Sequence, residues 1–295
     1  MKKLLVTGAS GFLGWNLCHQ AQVNWQVYGT YQTHSVEIPN VTTLKVDLRD
    51  LASLQELFQL INPDAVIHTA AASKPNFCQL NREFAYEINV TASINIAQLC
   101  AKLNIPCVFT STDLVFDGKN PPYAEIDGVS PVSYYGEQKV TAEQKMLEIH
   151  PATAICRMPL MFGPPSPFAA SFIQGFIENL QQGKELNLFT DEIRTPVSGS
   201  TASQGLLLAA DQQISGILHL GGLQSISRYD FGLLLAEALG SSSDLIKPCL
   251  QQDVIMPAPR SPDTSLDSSK AFSQGYQPLT VREELFDVIK VVRNS

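Results

Sequence analysis

Two spacings in the 295-residue chain bring chemically useful groups together. The first is Gly8-x-x-Gly11-x-x-Gly14, directly after the apolar run Leu4-Leu5-Val6 and Thr7. Glycine allows a tight turn at Gly8, close backbone approach to a pyrophosphate at Gly11, and close packing of the next helix at Gly14. Unpaired N–H groups at that helix start would face phosphate oxygens. The second spacing is Tyr135-Gly136-Glu137-Gln138-Lys139. On a helix, positions i and i+4 share a face, so the phenol and the ammonium point the same way. A neighbouring cation favours phenolate and makes the tyrosine a usable proton donor or acceptor. Taken alone, the spacing also describes an exposed Tyr–Lys pair on an amphipathic helix.

A third group lies about two dozen residues before Tyr135. Val108-Phe109-Thr110-Ser111-Thr112-Asp113 reads as a buried strand ending in hydroxyls. In a doubly wound sheet the strand C-termini face the ligand crevice. Thr112 would there donate a hydrogen bond to a substrate oxygen while Tyr135 moves the proton. Its plainer role is a helix or turn cap.

The elements that must position these groups alternate along the first half. Strands are expected at residues 4–7, 26–30, 43–46, 65–69 and 107–110, with helices starting near Phe12, Leu51 and Phe84. Asn62-Pro63-Asp64 and Asn104-Ile105-Pro106 read as helix exits. Short, almost wholly apolar strands suit a parallel sheet covered on both faces, and this alternation predicts an α/β, doubly wound Rossmann fold. From Pro159 onward prolines cluster at Pro164, Pro165 and Pro167. The expected division is a dinucleotide-binding domain over residues 1–158, with a segment near 195–222 returning to it. Residues 159–295 would mostly form a smaller C-terminal substrate lobe.

Composition narrows the function. A formal charge of −8 argues against nucleic acid, whose phosphates need a basic surface. No apolar run approaches a membrane span, and the apolar start stops at Gly8 without a cleavage site, so no membrane association is expected. The six cysteines, Cys18, Cys78, Cys100, Cys107, Cys156 and Cys249, form no C-x-x-C pair. They read as reduced thiols of a cytoplasmic protein. His68 sits in an expected strand and reads as a core residue. No His, Cys, Asp or Glu spacing implies a metal.

The run Thr110-Ser111-Thr112-Asp113-Leu114-Val115-Phe116-Asp117-Gly118, followed by Tyr135 and Lys139, resembles the extended short-chain dehydrogenase/reductase superfamily. Within it the chain resembles the dTDP-4-dehydrorhamnose reductases and, comparably, the regulatory β subunits of methionine adenosyltransferase. Asn120-Pro121-Pro122-Tyr123 and Arg260-Ser261-Pro262-Asp263-Thr264-Ser265-Leu266-Asp267 also match family signatures. The resemblance implies ketone reduction by Thr112, Tyr135 and Lys139, with Lys139 also holding the nicotinamide ribose. It places the loop Gly8, Ser10, Gly11, Phe12, Leu13 and Gly14 at the pyrophosphate and Asp47 and Leu48 at the adenine. It also places Ala71 and Ala72 on the adenosine side and Pro159 at the nicotinamide. For Asp47 the plainer role is a cap before Leu51, and for the alanines close packing. Asp113, Arg194 and Arg260 are the candidate contacts to a nucleotide-sugar substrate, the two arginines being equally readable as surface ion pairs. Two departures fall near the expected substrate side: Leu114 where the family usually has tyrosine, and Ser261, which breaks an arginine–proline pair.

NADP(H) is the expected cofactor, with NAD(H) compatible. NAD selectivity normally uses an acid about 20 residues beyond the glycine loop. The second strand leads instead into Thr30-Tyr31-Gln32-Thr33-His34, where a 2′-phosphate meets no carboxylate. The resulting expectation is reduction of a nucleotide-linked 4-keto sugar. A dehydratase is disfavoured, because Leu114 follows Asp113 where elimination needs a second carboxylate. Two alternatives stay open. One is an epimerase, which would retain its cofactor through gel filtration; the other is a non-catalytic NADP-binding subunit of a partner enzyme such as methionine adenosyltransferase. A homodimer is compatible with each.

Overall fold

The computed structural model describes residues 1–294. Its centre is a seven-stranded sheet in which every neighbouring pair is parallel. The strands are β1 (Lys2–Thr7), β2 (Trp25–Tyr31), β3 (Val41–Lys45), β4 (Ala65–His68), β5 (Cys107–Thr112), β6 (Ala154–Met158) and, late in the chain, Gly216–His219. Across the sheet the order is Gly216–His219, β6, β5, β4, β1, β2, β3. The order therefore reverses beside β1, and the crevice between β1 and β4 is the topological switch point.

Alternation along β1 shows why its run is apolar throughout. Leu4 and Val6 enter one core with α1 (Phe12–Ala21) and the Gly199–Asp211 helix. Leu5 enters the opposite core with α2 (Leu51–Ile61) and the Ala92–Leu103 and Tyr134–Ile149 helices. With helices on both faces, Leu4 to Thr7 of β1 are all buried. The asparagine exits are realised as left-handed caps, Asn62 at φ 50° and Asn104 at φ 52°.

Two elements differ from expectation. β5 continues to Thr112, because its ladder with β6 runs on to Thr112 opposite Met158. The helix expected near Phe84 starts at Arg82 and runs unbroken to Leu103, but through a π-helical turn over Glu87–Thr91, and a separate short helix, Pro75–Leu80, precedes it. Asn89 holds the joint: it accepts from Ala72 N at 2.9 Å and donates to Gln138 Oε1 at 2.8 Å.

A second core forms from Phe162, Ile177, Leu188, Phe231, Leu235, Ile246 and Leu285. It packs the Ile173–Gln181, Arg228–Leu239 and Val281–Asn294 helices against the parallel pair Leu186–Phe189 and Ile246–Cys249. The Gly199–Asp211 helix and the Gly216–His219 strand return to the main sheet. No helix among the described residues is long and apolar enough to cross a membrane. All six cysteines are free, five of them buried.

Candidate active site

The C-terminal ends of β1, β2, β4, β5 and β6 open onto one cavity of about 1030 Å³. That is at the upper end of the range for small-molecule and cofactor sites. At its floor Gly8 adopts φ 78°, the left-handed region that suits glycine. A Cβ on Gly14 would stand 2.2 Å from the Gly8 carbonyl oxygen, so only glycine lets α1 cross so close to the loop. A Cβ on Gly11 would meet only that same oxygen, at 3.2 Å, and would otherwise occupy open space. No side chain caps α1, whose first-turn N–H groups are left for a ligand. A bare helix start over a cradle that a side chain would fill fits a pyrophosphate.

The opposite wall carries the hydroxyls. The Tyr134–Ile149 helix starts on Ser133, whose Oγ accepts from Gly136 N, and buries Tyr135, Gln138, Lys139, Ala142, Glu143 and Met146 on one face. A Cβ on Gly136 would lie 2.3 Å from the Leu114 carbonyl oxygen, so glycine lets this helix press onto the end of β5. Tyr135, Lys139 and Thr112 thereby line the same cavity as the glycine loop. Lys139 Nζ donates to the Thr110 carbonyl oxygen at 2.8 Å and lies 4.5 Å from the centre of the Phe109 ring. Thr112 Oγ1 accepts from Leu114 N at 3.2 Å, so it caps a turn while standing in the cavity wall.

The electrostatics correct one expectation. Lys139 does not lower the Tyr135 pKa among the protein groups alone. Burial raises the phenol above its ordinary value, Cys78 and Asp113 add to the rise, and the Thr112 hydroxyl opposes it. The ammonium itself is lowered to about 8, chiefly by burial, with Glu143 acting the other way. A buried phenol with a raised pKa keeps its proton at neutral pH, the state required of a donor.

Most of the other expected cofactor residues meet on this cavity. Ser10, Phe12, Leu13, Tyr31, Asp47, Leu48, Ala71 and Pro159 all line it. Ala72 does not: it packs against Cys78, Ala85 and Tyr135, and its N–H and carbonyl are taken by Asn89. Asp50, rather than Asp47, caps α2. Asp47 pairs with Arg49 at 2.6 Å and accepts from Gln32 at 3.1 Å. The Arg49 side-chain hydrogen bond holds its carboxyl below the usual range. His68 is fully buried between Thr7 Oγ1 at 2.6 Å and Ser93 Oγ at 3.1 Å.

On the substrate side Arg194 lines the cavity while its guanidinium is engaged by protein groups. Its guanidinium donates to the carbonyl oxygens of Ile193 at 2.6 Å, Pro262 at 3.0 Å and Ser261 at 2.9 Å. It also pairs with Asp113 at 3.5 Å. Asp113 accepts from Thr264 Oγ1 at 2.8 Å, and burial raises its pKa against the pull of Arg194. The two signature segments meet here, Tyr123 N donating to Ser265 O at 2.8 Å and Asp267 N to Tyr123 O at 2.7 Å. Ser261, at the broken arginine–proline pair, donates to Phe116 O at 2.7 Å. Leu114 and Arg260 line the cavity, as do Lys74, Phe172, Glu192 and Arg228, which sequence reasoning did not single out. Ser227-Arg228-Tyr229-Asp230 carried one usable signal, since a serine three residues before an aspartate marks a helix start.

A parallel α/β sheet with a glycine-cradled crevice at its switch point defines a dinucleotide-fold protein. The chain belongs to the RmlD substrate binding domain family, whose model matches residues 1–294. Among its relatives, a probable low-salt glycan biosynthesis reductase of Haloferax volcanii is 30% identical over 286 residues, covering 95% of each chain. The methionine adenosyltransferase 2 subunit beta of Xenopus laevis is 29% identical over 281 residues, covering 93% of this chain and 83% of that one. A dTDP-4-dehydrorhamnose reductase structure from Clostridium acetobutylicum superposes with a TM-score of 0.85 at 25% identity, covering 99% of both chains. The resemblance drawn from the motifs therefore holds along the whole fold.

Proposed function

We propose that the protein is an NADP(H)-dependent reductase of a nucleotide-linked 4-keto sugar. The observation that carries this reading is the shared cavity: Thr112, Tyr135 and Lys139 stand on one wall and the bare start of α1 on another. Residues 1–158 with the 195–222 segment hold the cofactor, and most of residues 159–295 hold the sugar nucleotide. The bound cofactor supplies hydride to the keto carbon. Thr112 orients the carbonyl oxygen, and Tyr135 Oη gives its proton to the oxygen as it gains charge, which balances the reduction to an alcohol. Solvent then returns a proton to the phenolate. Lys139, its pKa lowered to about 8 by burial and so largely charged at neutral pH, holds the nicotinamide ribose.

Preference for the 2′-phosphorylated cofactor is supported at the end of β2. Tyr31, Gln32, Thr33 and His34 line the cavity there without a carboxylate among them. The nearby acid, Asp47, is neutralised by Arg49. Following NADPH absorbance against a panel of nucleotide-linked 4-keto sugars tests the reading; steady consumption with one of them supports it.

The similarity to the methionine adenosyltransferase subunit supports a second reading, a cofactor-binding regulatory subunit. It takes over if every keto sugar stays unreduced while a synthetase is retained on the immobilised protein.

A further inference from the structure

The Tyr134–Ile149 helix meets the end of β5 at every fourth residue. Tyr135 stands beside the Thr112 hydroxyl, Lys139 Nζ donates to the Thr110 carbonyl oxygen at 2.8 Å, and Glu143 Oε1 accepts from Ser111 Oγ. Side chains one helical turn apart share a face, so the three grip three consecutive residues of the strand. Tyr135 and Lys139 take part in the proposed reaction, whereas Glu143 sits behind Ser111, outside the cavity lining. Its carboxylate is buried and fixed on both oxygens. Arg157, which faces Ser111 across the β5–β6 ladder, donates from Nε to Oε1 at 3.1 Å and from Nη2 to Oε2 at 2.9 Å. Arg157 is itself placed by the Phe116 ring, 5.1 Å from its guanidinium, and by His219 Nε2, 3.4 Å from its Nη1. A two-pronged arginine holds a carboxylate in one orientation. Desolvation offsets much of the attraction in such a pair, so it adds little stability for its depth. Glu143 opposes the effect of burial on the Lys139 ammonium. The other titratable groups that interact with this ammonium are Cys78 of the Pro75–Leu80 helix and His68 of β4, and burial keeps both uncharged at neutral pH. Burial does the same for His219 behind Arg157 and for Tyr135 on the helix itself.

We propose that Glu143, locked by Arg157 and Ser111, is a positioning residue for Thr112, Tyr135 and Lys139: it aligns the end of β5 with the helix and is the buried counter-charge of the Lys139 ammonium. It acts through Lys139 and the strand rather than on substrate or cofactor. Its effect on turnover rests on the reductase reading, while its effect on the charge of Lys139 stands independently of that reading.

The test reads Lys139 directly in the full chain, by carbon-13 NMR of protein labelled at the lysine Cε, with the Lys139 signal assigned by its loss in Lys139→Met. The pH profile of kcat/KM with NADPH and a nucleotide-linked 4-keto sugar is measured alongside. Glu143→Gln keeps the size of the side chain and removes its charge, so the Lys139 midpoint is expected to fall by about one pH unit. The alkaline limb of kcat/KM should move down with it: the variant loses about five- to tenfold relative to wild type at pH 8.5 and less than about threefold at pH 6, where the ammonium is charged in both. A purely structural loss would lower both values alike. Glu143→Asp keeps the charge and should restore the midpoint to within about half a unit of wild type. If Glu143→Gln leaves Arg157 unpaired and fails to fold, the double variant Glu143→Gln with Arg157→Gln keeps the pair neutral and serves in its place, with a midpoint shift in the same direction. A Lys139 midpoint unchanged in the folded variant would overturn the proposal, and so would a loss of kcat/KM that is equal at pH 6 and pH 8.5. Absence of any keto-sugar turnover would overturn the reductase reading alone, since the NMR titration still judges Glu143.

Discussion

The Lys139 ammonium donates a 2.8 Å hydrogen bond to the carbonyl oxygen of Thr110, two residues before Thr112 on the same strand. This bond ties the helix that carries Tyr135 to the strand that carries Thr112. It also leaves the ammonium buried, with its pKa lowered from 10.5 to about 8. The charged form is complete well below pH 8 and is lost as pH rises through that value. We therefore expect kcat/KM for keto-sugar reduction to fall about tenfold per pH unit above the Lys139 pKa. A profile flat to pH 10 would contradict this role of Lys139.

The two later glycines of the loop should respond differently to a side chain. Gly14→Ala puts a Cβ 2.2 Å from the Gly8 carbonyl oxygen and should destabilise the fold itself. Gly11→Val meets little protein and projects into the cavity, so it should keep the melting temperature within a few degrees while weakening NADPH binding at least about 100-fold. Calorimetry of both variants checks the contrast, and a Gly11→Val protein that binds NADPH normally would reduce the loop to a turn.

Arg194 should matter to stability more than to substrate affinity. Arg194→Met leaves Asp113 buried without its cation and frees three carbonyl oxygens, a loss of about 3–5 kcal/mol by analogy with broken buried pairs. Urea unfolding measures it. A stability change under 1 kcal/mol, roughly the value of an exposed pair, would show that this pairing is dispensable.

Two buried histidines predict acid sensitivity. Burial lowers His68 from 6.5 to about 3 and His219 from 6.5 to about 4, so both are neutral in the folded protein. Between those values and 6.5 the unfolded chain binds more protons, so stability rises with pH through that window and falls on acidification. From pH 7.5 to 5.5 each histidine should cost on the order of 1.4 kcal/mol. Unfolding free energies at the two pH values test this, and His68→Gln should flatten the slope even if it lowers stability overall.

What could be read from the sequence was what local chemistry dictates. The run into Gly8, Gly11 and Gly14 and the Asn62 and Asn104 exits depend on neighbours within a few residues, and they appear as expected. Tyr135 and Lys139 share a face because helical geometry requires it. Their meeting with Thr112 depended on β5 extending two residues further, which its pairing with β6 decides. The protein partners of Arg194 were not legible, because two of its three carbonyl partners, on Ser261 and Pro262, lie 67 and 68 residues away. The pairing of the Ala72 backbone with Asn89 is likewise set by a residue beyond its near neighbours. The electrostatic expectation for Tyr135 failed because spacing reveals the neighbouring cation but not the depth of burial, and burial dominates.

In the proposed reaction Tyr135 supplies the proton for keto-sugar reduction. The most direct measurement is the single-turnover rate of NADPH oxidation by a nucleotide-linked 4-keto sugar, in wild type and in Tyr135→Phe, with NADPH affinity measured for each. The rate is expected to be lower by a factor on the order of 100 or more in the variant, with cofactor affinity nearly unchanged, because only the proton-bearing hydroxyl is removed. A Tyr135→Phe protein that reduces the same sugar at the wild-type rate would contradict it.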